Sequence, residues 1–159
     1  MMTTRVLIAL GAALVLGAVN FSIMGKERIR NAGELVFLDL QPRDPRSLMQ
    51  GDYMTLRFRL ADEIRARGNP LPPEGSSASA GVTLDARGVA SLAPAGTPAK
   101  LNIRYRIRKG QVWLGTNAFF FEEGSDQRYS GARYGEFRVD AGSGEAVLVG
   151  LRDAQLRPL

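Results

Sequence analysis

The feature that most limits how this chain can fold is the run of residues 6–24, nineteen positions without a charged side chain. As an α-helix this run would be about 29 Å long, close to the roughly 30 Å hydrocarbon core of a bilayer. A cleaved signal peptide is the alternative, because residues 1–5 make a short basic start. The apolar run is long for a signal peptide, however, and no clear Ala-x-Ala site ends it. We therefore predict a transmembrane anchor helix over residues 1–30.

The net charge of +5 is concentrated around this apolar run. Four of the basic residues are Arg5, Lys26, Arg28 and Arg30, whereas residues 31–159 are close to charge balance. Basic residues beside a membrane span meet anionic lipid head groups. The small excess in the rest of the chain argues against nucleic-acid binding, which depends on a clustered basic surface.

The chain contains neither cysteine nor histidine. This composition excludes disulfides, thiolate nucleophiles, the usual zinc sites and Ser-His-Asp triads. We predict no catalytic residues, no metal and no cofactor.

The clearest β-hairpin in the sequence is predicted over residues 100–116. Apolar residues alternate there with arginines, which is the period of a strand with one buried face. Lys109 and Gly110 form a two-residue turn between the strands. The resulting register places Trp113 opposite Arg106 and predicts a cation–π contact between them.

Several further strands and one helix follow from the same patterns. The strands are predicted at residues 34–41, 52–60, 82–84, 89–92, 135–140 and 146–151. The run 146–151 lacks polar alternation, which predicts a central strand buried on both faces. Residues 61–67 are predicted to be a short helix, and residues 68–80 a mobile loop rich in Pro, Gly and Ser. Short strands with tight turns indicate a mainly β domain over residues 31–159, an antiparallel β-barrel or curled sheet.

Residues 41–58 carry the most distinctive motif of the chain. Two prolines, Pro42 and Pro45, end the first strand, and Gly51-Asp52-Tyr53 begins a new one. We expect Gly51 to adopt a positive φ and the Asp52 carboxylate to accept hydrogen bonds from amides of the turn.

This motif resembles the signature of the GDYXXLXY family of membrane-anchored proteins. The residues that match the signature are Gly51, Asp52, Tyr53 and Leu56, whereas Phe58 stands where the signature has a second tyrosine. The resemblance extends to residues 119–124 and 132–135. It implies a bacterial, membrane-anchored protein without an assigned biochemical activity.

The residues predicted to bind a ligand or partner lie around this motif and in the aromatic segment after the hairpin. They are Asp44, Arg46, Gly51, Asp52, Tyr53, Leu56, Phe58, Glu123, Arg133 and Tyr134. We predict a buried contact between Glu123 and Arg133. Phe119, Phe120 and Phe121 cannot all be buried on one strand, because consecutive side chains alternate between faces. Phe119 and Phe121 are therefore predicted to cover the core, and Phe120 is a candidate docking residue.

Four small or polar residues share one face of the predicted anchor, at helical spacing. They are Ala9, Ala13, Gly17 and Asn20. Small residues let membrane helices approach closely, so this face is predicted to contact a partner helix.

These observations favour a binding or accessory subunit of a membrane protein assembly, with an integral membrane protein as its partner. The positive-inside rule slightly favours a cytoplasmic domain, but a single N-terminal anchor with a short basic start more often delivers its C-terminal domain across the membrane. We therefore expect a single-pass protein of the bacterial inner membrane with a periplasmic β-domain.

Two alternatives remain open at the level of sequence. One is a lipid or polyanion sensor, in which Arg57 and Arg59 merge with the arginines of the hairpin into one basic stripe. The other is a hydrolase, because the Gly-Asp step is similar to one in type I signal peptidases, which use a Ser/Lys dyad. The resemblance to that family places its serine at position 43, which is Arg43 here, and Ser47 lies only four residues before the step.

Overall fold

The computed structural model of the chain describes residues 2–41, 53–68 and 70–159. An N-terminal apolar helix precedes a mainly β domain whose antiparallel strands curl into a half-barrel, which confirms the predicted fold class. In chain order the elements are α1 (Met2–Ala32), β1 (Glu34–Asp39), β2 (Tyr53–Thr55), α2 (Arg59–Arg67), β3 (Ser77–Leu84), β4 (Ala90–Leu92), β5 (Leu101–Arg108), β6 (Gln111–Trp113), β7 (Ala118–Phe120), α3 (Asp126–Tyr129), β8 (Tyr134–Val139) and β9 (Ala146–Arg152).

The strands form three hydrogen-bonded groups around one core. Their orders are β1–β8–β9, β2–β7 and β4–β3–β5–β6, and every pairing between these strands is antiparallel. Isolated bridges from Phe37 to Val89 and from Leu40 to Phe58 join β1 to neighbouring segments. The largest fully buried side chains come from all parts of this arrangement and include Phe137, Leu38, Leu56, Leu60, Ile103 and Leu114.

Helix α1 is long and apolar enough over Val6–Ala32 to cross a membrane. It continues two residues beyond the predicted end at residue 30. The amide of Gly33 donates a hydrogen bond of 2.8 Å to the carbonyl of Ile29, which closes the last turn. The side chains of residues 6–24 are exposed, so this apolar stretch is not part of the core of the β-domain.

The C-terminal end of α1 is seated directly on β8. Ile29 is buried, and Nη1 of Arg138 donates a 3.2 Å hydrogen bond to the carbonyl of Gly33. A Cβ at Gly33 would lie 3.0 Å from the amide nitrogen of Val139, so only a residue without a side chain allows this approach. Strand β1 begins at the next residue. The helix and the β-domain are therefore joined without a linker.

The turn between β3 and β4 holds β1 against the four-stranded sheet. Asp85 Oδ1 accepts hydrogen bonds from the amides of Val89 (2.9 Å) and Arg87 (2.8 Å). Gly88 adopts a φ of 80°, and its carbonyl accepts a 3.0 Å hydrogen bond from the amide of Phe37. The Asp85 carboxylate therefore stabilises the connection between two groups of strands.

This turn makes folding stability sensitive to acid. The hydrogen bonds from the amides of Val89 and then Arg87 hold the pKa of the Asp85 carboxyl below its ordinary value. A lowered pKa in the folded state means that the stabilisation is complete above the ordinary carboxyl pKa of about 4 and is lost as the pH falls through the lowered value. We expect the urea concentration at the unfolding midpoint to decrease as the pH is lowered below about 4. The decrease should be less steep in Asp85→Asn, which lacks this carboxyl group. Identical pH profiles of the two proteins would contradict this role of Asp85.

Two predictions about residues 53–80 need correction. The predicted strand 52–60 is shorter, because β2 ends at Thr55 and α2 begins at Arg59. Leu60 and Ile64 lie four residues apart and are both buried, so a helix serves the core better than a continued strand. The predicted loop 68–80 is wrong for its last four residues, because β3 begins at Ser77 and pairs with β5.

The prediction that residues 146–151 form a central, doubly buried strand is wrong. Strand β9 lies at the edge of its sheet, and its residues 147–150 are half-buried. Its apolar character arises because Val147 lies beside Ile23 at a small groove along α1, whereas Leu148 packs on the core. The central strand is β8, in which five of six residues are buried.

Candidate functional site

Part of the motif at residues 41–58 lies outside the described residues. Asp44, Arg46, Gly51 and Asp52 belong to this part, so their predicted roles stay predictions. Tyr53, Leu56 and Phe58 are described, and the structure divides them between the surface and the core.

Leu56 and Phe58 are core residues, each 2% exposed. The Phe58 ring meets Phe137 edge to face, with ring centroids 5.3 Å apart. A Cβ at Gly135 would lie 2.9 Å from Phe58 Cε1, so this glycine leaves the space that the ring occupies. The motif and the segment 132–135, which are distant in sequence, therefore form one packing unit. The phenyl ring of Phe58 needs no hydrogen-bond partner there, unlike a tyrosine.

Tyr53 lies at the edge of the domain beside an exposed phenylalanine. Strand β2 pairs with β7, so that Tyr53 faces Phe120 with ring centroids 5.7 Å apart. Phe120 is 73% exposed. Phe119 and Phe121 instead pack against Tyr129, with centroid distances of 5.1 and 5.3 Å, and against the core. The predicted packing of Phe119 and Phe121 on the core is confirmed, whereas docking at Phe120 stays a prediction. We call Tyr53 and Phe120 the aromatic pair.

Arg133 is paired, but not with Glu123. Its Nε lies 3.3 Å from Asp39 Oδ1, and Arg59 Nε lies 3.1 Å from Asp39 Oδ2. Glu123 is exposed. The predicted Glu123–Arg133 contact is therefore wrong. Glu123 is closer to Arg133 in sequence than Asp39 is, which is why it was predicted as the partner. The β1–β8 ladder instead places Asp39 opposite Tyr134, the residue after Arg133.

Tyr134 is buried and fixes another surface arginine. Its hydroxyl accepts a 3.3 Å hydrogen bond from Nη2 of Arg87, and the guanidinium also lies 5.7 Å from the centroid of the tyrosine ring. The hydroxyl hydrogen bond raises the pKa of Arg87 above its ordinary value. Tyr134 thus connects the β3–β4 turn to β8, which is a structural role.

An ion pair in the centre of the three-stranded sheet was missed by the sequence analysis. Arg152 Nε donates a hydrogen bond of 2.5 Å to Glu136 Oε2, and their side chains are 23% and 12% exposed. Arg152 also donates to the carbonyl of Leu156 at 3.4 Å. The available signal was an acidic residue, Glu136, in the predicted strand 135–140 and a basic residue, Arg152, directly after the predicted strand 146–151.

A basic groove lies where α1, the β5–β6 hairpin and the β8–β9 turn meet. It has a volume of about 260 Å³, and the residues that define it are Lys26, Arg104, Arg106, Arg108, Trp113 and Glu145. Gly144 has a φ of 70°, and its carbonyl accepts a 2.7 Å hydrogen bond from the amide of Arg104. This contact holds the β8–β9 turn, and with it Glu145, against β5.

Two predictions about the arginines need correction. Trp113 is opposite Arg106 in register, as predicted, but the guanidinium over the indole belongs to Arg108, 5.3 Å from the ring centroid. Arg57 and Arg59 do not join the hairpin arginines in one stripe, because β2 pairs with β7 and Arg59 lies in α2.

The positions of the lysines bear on the hydrolase alternative. The chain has three, and each has an exposed side chain: Lys26 is paired with Glu145, Lys100 lies 3.7 Å from Glu34, and Lys109 is in the β5–β6 turn. A Ser/Lys dyad requires a lysine that is desolvated. None of the three lysines is desolvated in the structure.

The small-residue face of α1 is open. Ala9, Ala13, Gly17 and Asn20 are exposed, and a Cβ at Gly17 would meet no atom within 4 Å. The Asn20 amide donates a 2.9 Å hydrogen bond to the carbonyl of Leu16, so its polar group is satisfied within the helix. Contact of this face with a partner helix stays a prediction.

Neither a curated protein nor a solved structure is significantly similar to the chain. One family model, described as GDYXXLXY protein, matches residues 15–151. The match includes the second half of α1 and extends through most of β9, so it covers the helix–domain junction, the packing of Phe58 on Gly135 and the basic groove. The chain belongs to the GDYXXLXY protein family.

Proposed function

We propose that this protein is a single-pass subunit of the bacterial inner membrane whose periplasmic β-domain binds an integral membrane protein. The observation that carries the proposal is the aromatic pair. Among the described residues C-terminal to α1, Phe120 is the most exposed large apolar side chain. A phenylalanine in that position costs solubility unless it is covered, and aromatic residues are enriched at the centres of protein interfaces.

The surroundings of Phe120 support a rigid docking surface. Its strand is fixed to β2 by the antiparallel ladder, and the amide of Leu56 donates a 2.7 Å hydrogen bond to the carbonyl of Asn117, which extends this pairing. The neighbours Phe119 and Phe121 anchor the segment on Tyr129 and the core. The segment around Phe120 therefore loses little conformational freedom when a partner covers it, which favours binding.

The anchor helix supports a partner that is itself in the membrane. α1 is long and apolar enough to span the bilayer, and its attachment to β8 keeps the β-domain close to the lipid surface. A partner within the same membrane can contact both the helix and the domain, and two linked contacts strengthen each other.

The test compares Phe120→Ala with Phe119→Ala in the full-length protein. We expect Phe120→Ala to reduce co-purification of a stoichiometric integral membrane protein about tenfold or more, because central aromatic residues dominate interface energies. Its urea midpoint, followed by the fluorescence of Trp113, should not change. Phe119→Ala should lower the urea midpoint, because Phe119 packs on the core.

A photo-crosslinking amino acid at position 120 adds a direct measurement. We expect a crosslink to the same integral membrane protein, and no such product from position 128, which is also exposed. Unchanged co-purification of the Phe120→Ala protein, together with no crosslink from position 120, would overturn the proposal.

A further inference from the structure

The basic groove begins where the apolar part of α1 ends. Residues 6–25 make twenty helical positions, about 30 Å, which equals the thickness of the hydrocarbon core. Lys26 is the next residue, and it forms an ion pair with Glu145 at the edge of the groove. Val147 lies beside Ser22 and Ile23 of the same helix. The β8–β9 turn is thus placed where the apolar part of α1 ends.

The groove is strongly basic. Lys26, Arg104, Arg106 and Arg108 contribute to its lining, against the single carboxylate of Glu145. The three arginines occupy alternate positions of β5 and are all exposed, so they project from one face at intervals of about 7 Å. Such spacing allows two guanidinium groups to approach the same phosphate from both sides, and guanidinium–phosphate pairs are short and strong.

The backbone holds this face in place. β5 is paired on one side with β3 and on the other with β6, and Arg106 Nε lies 3.3 Å from the hydroxyl of Ser77. Trp113 stacks under Arg108 and lines the same groove. Tryptophan is enriched at the level of lipid head groups because its ring is apolar and its N–H is polar.

We propose that this groove binds the head-group phosphate of an anionic phospholipid in the leaflet where α1 ends. The phosphate lies between Arg104 and Arg106, and the Lys26–Glu145 pair limits the groove on the side of the helix. Zwitterionic lipids carry a compensating cation that the arginines repel, so the groove selects for net negative lipids. The bound lipid fixes the β-domain on the bilayer surface, a role separate from partner binding by the aromatic pair.

Trp113 is the only tryptophan of the chain, so its fluorescence reports on this groove directly. The experiment uses the full-length protein in phosphatidylcholine vesicles that contain a small fraction of lipid brominated near the head-group end of its acyl chains. Brominated phosphatidylglycerol should quench Trp113 more than brominated phosphatidylcholine at the same mole fraction. The preference for the anionic lipid is the ratio of Trp113 quenching by brominated phosphatidylglycerol to that by brominated phosphatidylcholine. We expect Arg104→Gln/Arg106→Gln to reduce this preference about fivefold for each arginine removed.

The matched control is Arg57→Gln/Arg65→Gln, which removes the same charge from exposed positions outside the groove. It should keep most of the preference. Glu145→Gln removes the carboxylate of the groove and should increase the preference, which tests the proposal even if the double arginine variant folds poorly. Equal quenching by both lipids, an equal loss in the control, or a reduced preference in Glu145→Gln would each overturn it.

Discussion

Replacing Phe58 by alanine is expected to lower the free energy of unfolding by about 3–5 kcal/mol, the range for removing a buried aromatic side chain. Phe58 is 2% exposed, and its ring lies against Phe137 and over Gly135. These neighbours belong to β8, whose hydrogen bonds to β1 and β9 prevent it from moving into the cavity. Urea unfolding of the full-length protein in detergent, followed by Trp113 fluorescence, measures the loss.

The matched control for this prediction is Phe120→Ala, the same chemical change on the surface. It should alter the free energy of unfolding by no more than about 0.5 kcal/mol, as most exposed substitutions do. Equal urea midpoints for Phe58→Ala and Phe120→Ala would show that the motif does not contribute to the core in the way the structure describes.

Removing Glu136 has the second largest expected effect. Glu136→Ala leaves Arg152 in a largely buried position without its carboxylate, and breaking a buried ion pair costs about 3–5 kcal/mol. We expect about 2–3 kcal/mol here, because the Arg152 side chain is 23% exposed and keeps its hydrogen bond to the carbonyl of Leu156. The free energy of unfolding is again measured with urea.

A double variant separates the burial of a charge from the loss of packing. In Glu136→Met/Arg152→Leu both charges are replaced by apolar side chains, and most of the lost stability should return. Lys100→Ala, which removes the partner of Glu34 in an exposed pair, should cost no more than about 1 kcal/mol. A double variant as unstable as Glu136→Ala would mean that the specific geometry of the pair, and not an unpaired charge, sets the loss.

The parts of the fold that could be predicted are those specified by nearby residues. The β5–β6 hairpin depends on the turn at Lys109 and Gly110, whose φ values are 50° and 64°, and on the alternation of Leu101, Ile103 and Ile107. A two-residue turn of this type determines the register of the strands that it connects. The end of α1 was predicted at residue 30, two residues before its end at Ala32.

The identity of the central strand could not be predicted, because it depends on distant partners. β8 contains Gly135, Glu136 and Arg138, a composition that is typical of an exposed strand. Its burial is possible because Arg152 pairs with Glu136 and because Phe58 fills the space above Gly135. β9 has the more apolar sequence, but it lies at the edge of the sheet, where Val147 faces α1.

In the candidate sites too, features set by nearby residues could be predicted and features set by distant residues could not. The outward position of Phe120 was predictable, because alternation along a strand is local. The ion pair of Asp39 with Arg59 and Arg133 was not, since it joins three separate segments. The arginines of β5 were predicted as part of a stripe with Arg57 and Arg59. They instead line a groove with Lys26 and Glu145, which reach it only through the tertiary fold.

The junction at Gly33 makes the half-barrel a rigid extension of the helix. One residue separates Ala32 from Glu34, and that residue is held between Ile29 and Arg138. A torque applied to α1 would therefore be delivered to the whole domain. A neighbouring helix that turned α1 by one residue, about 100°, would swing the domain through the same angle and present a different face to its surroundings. Such a turn of α1 would therefore set the orientation of the whole β-domain.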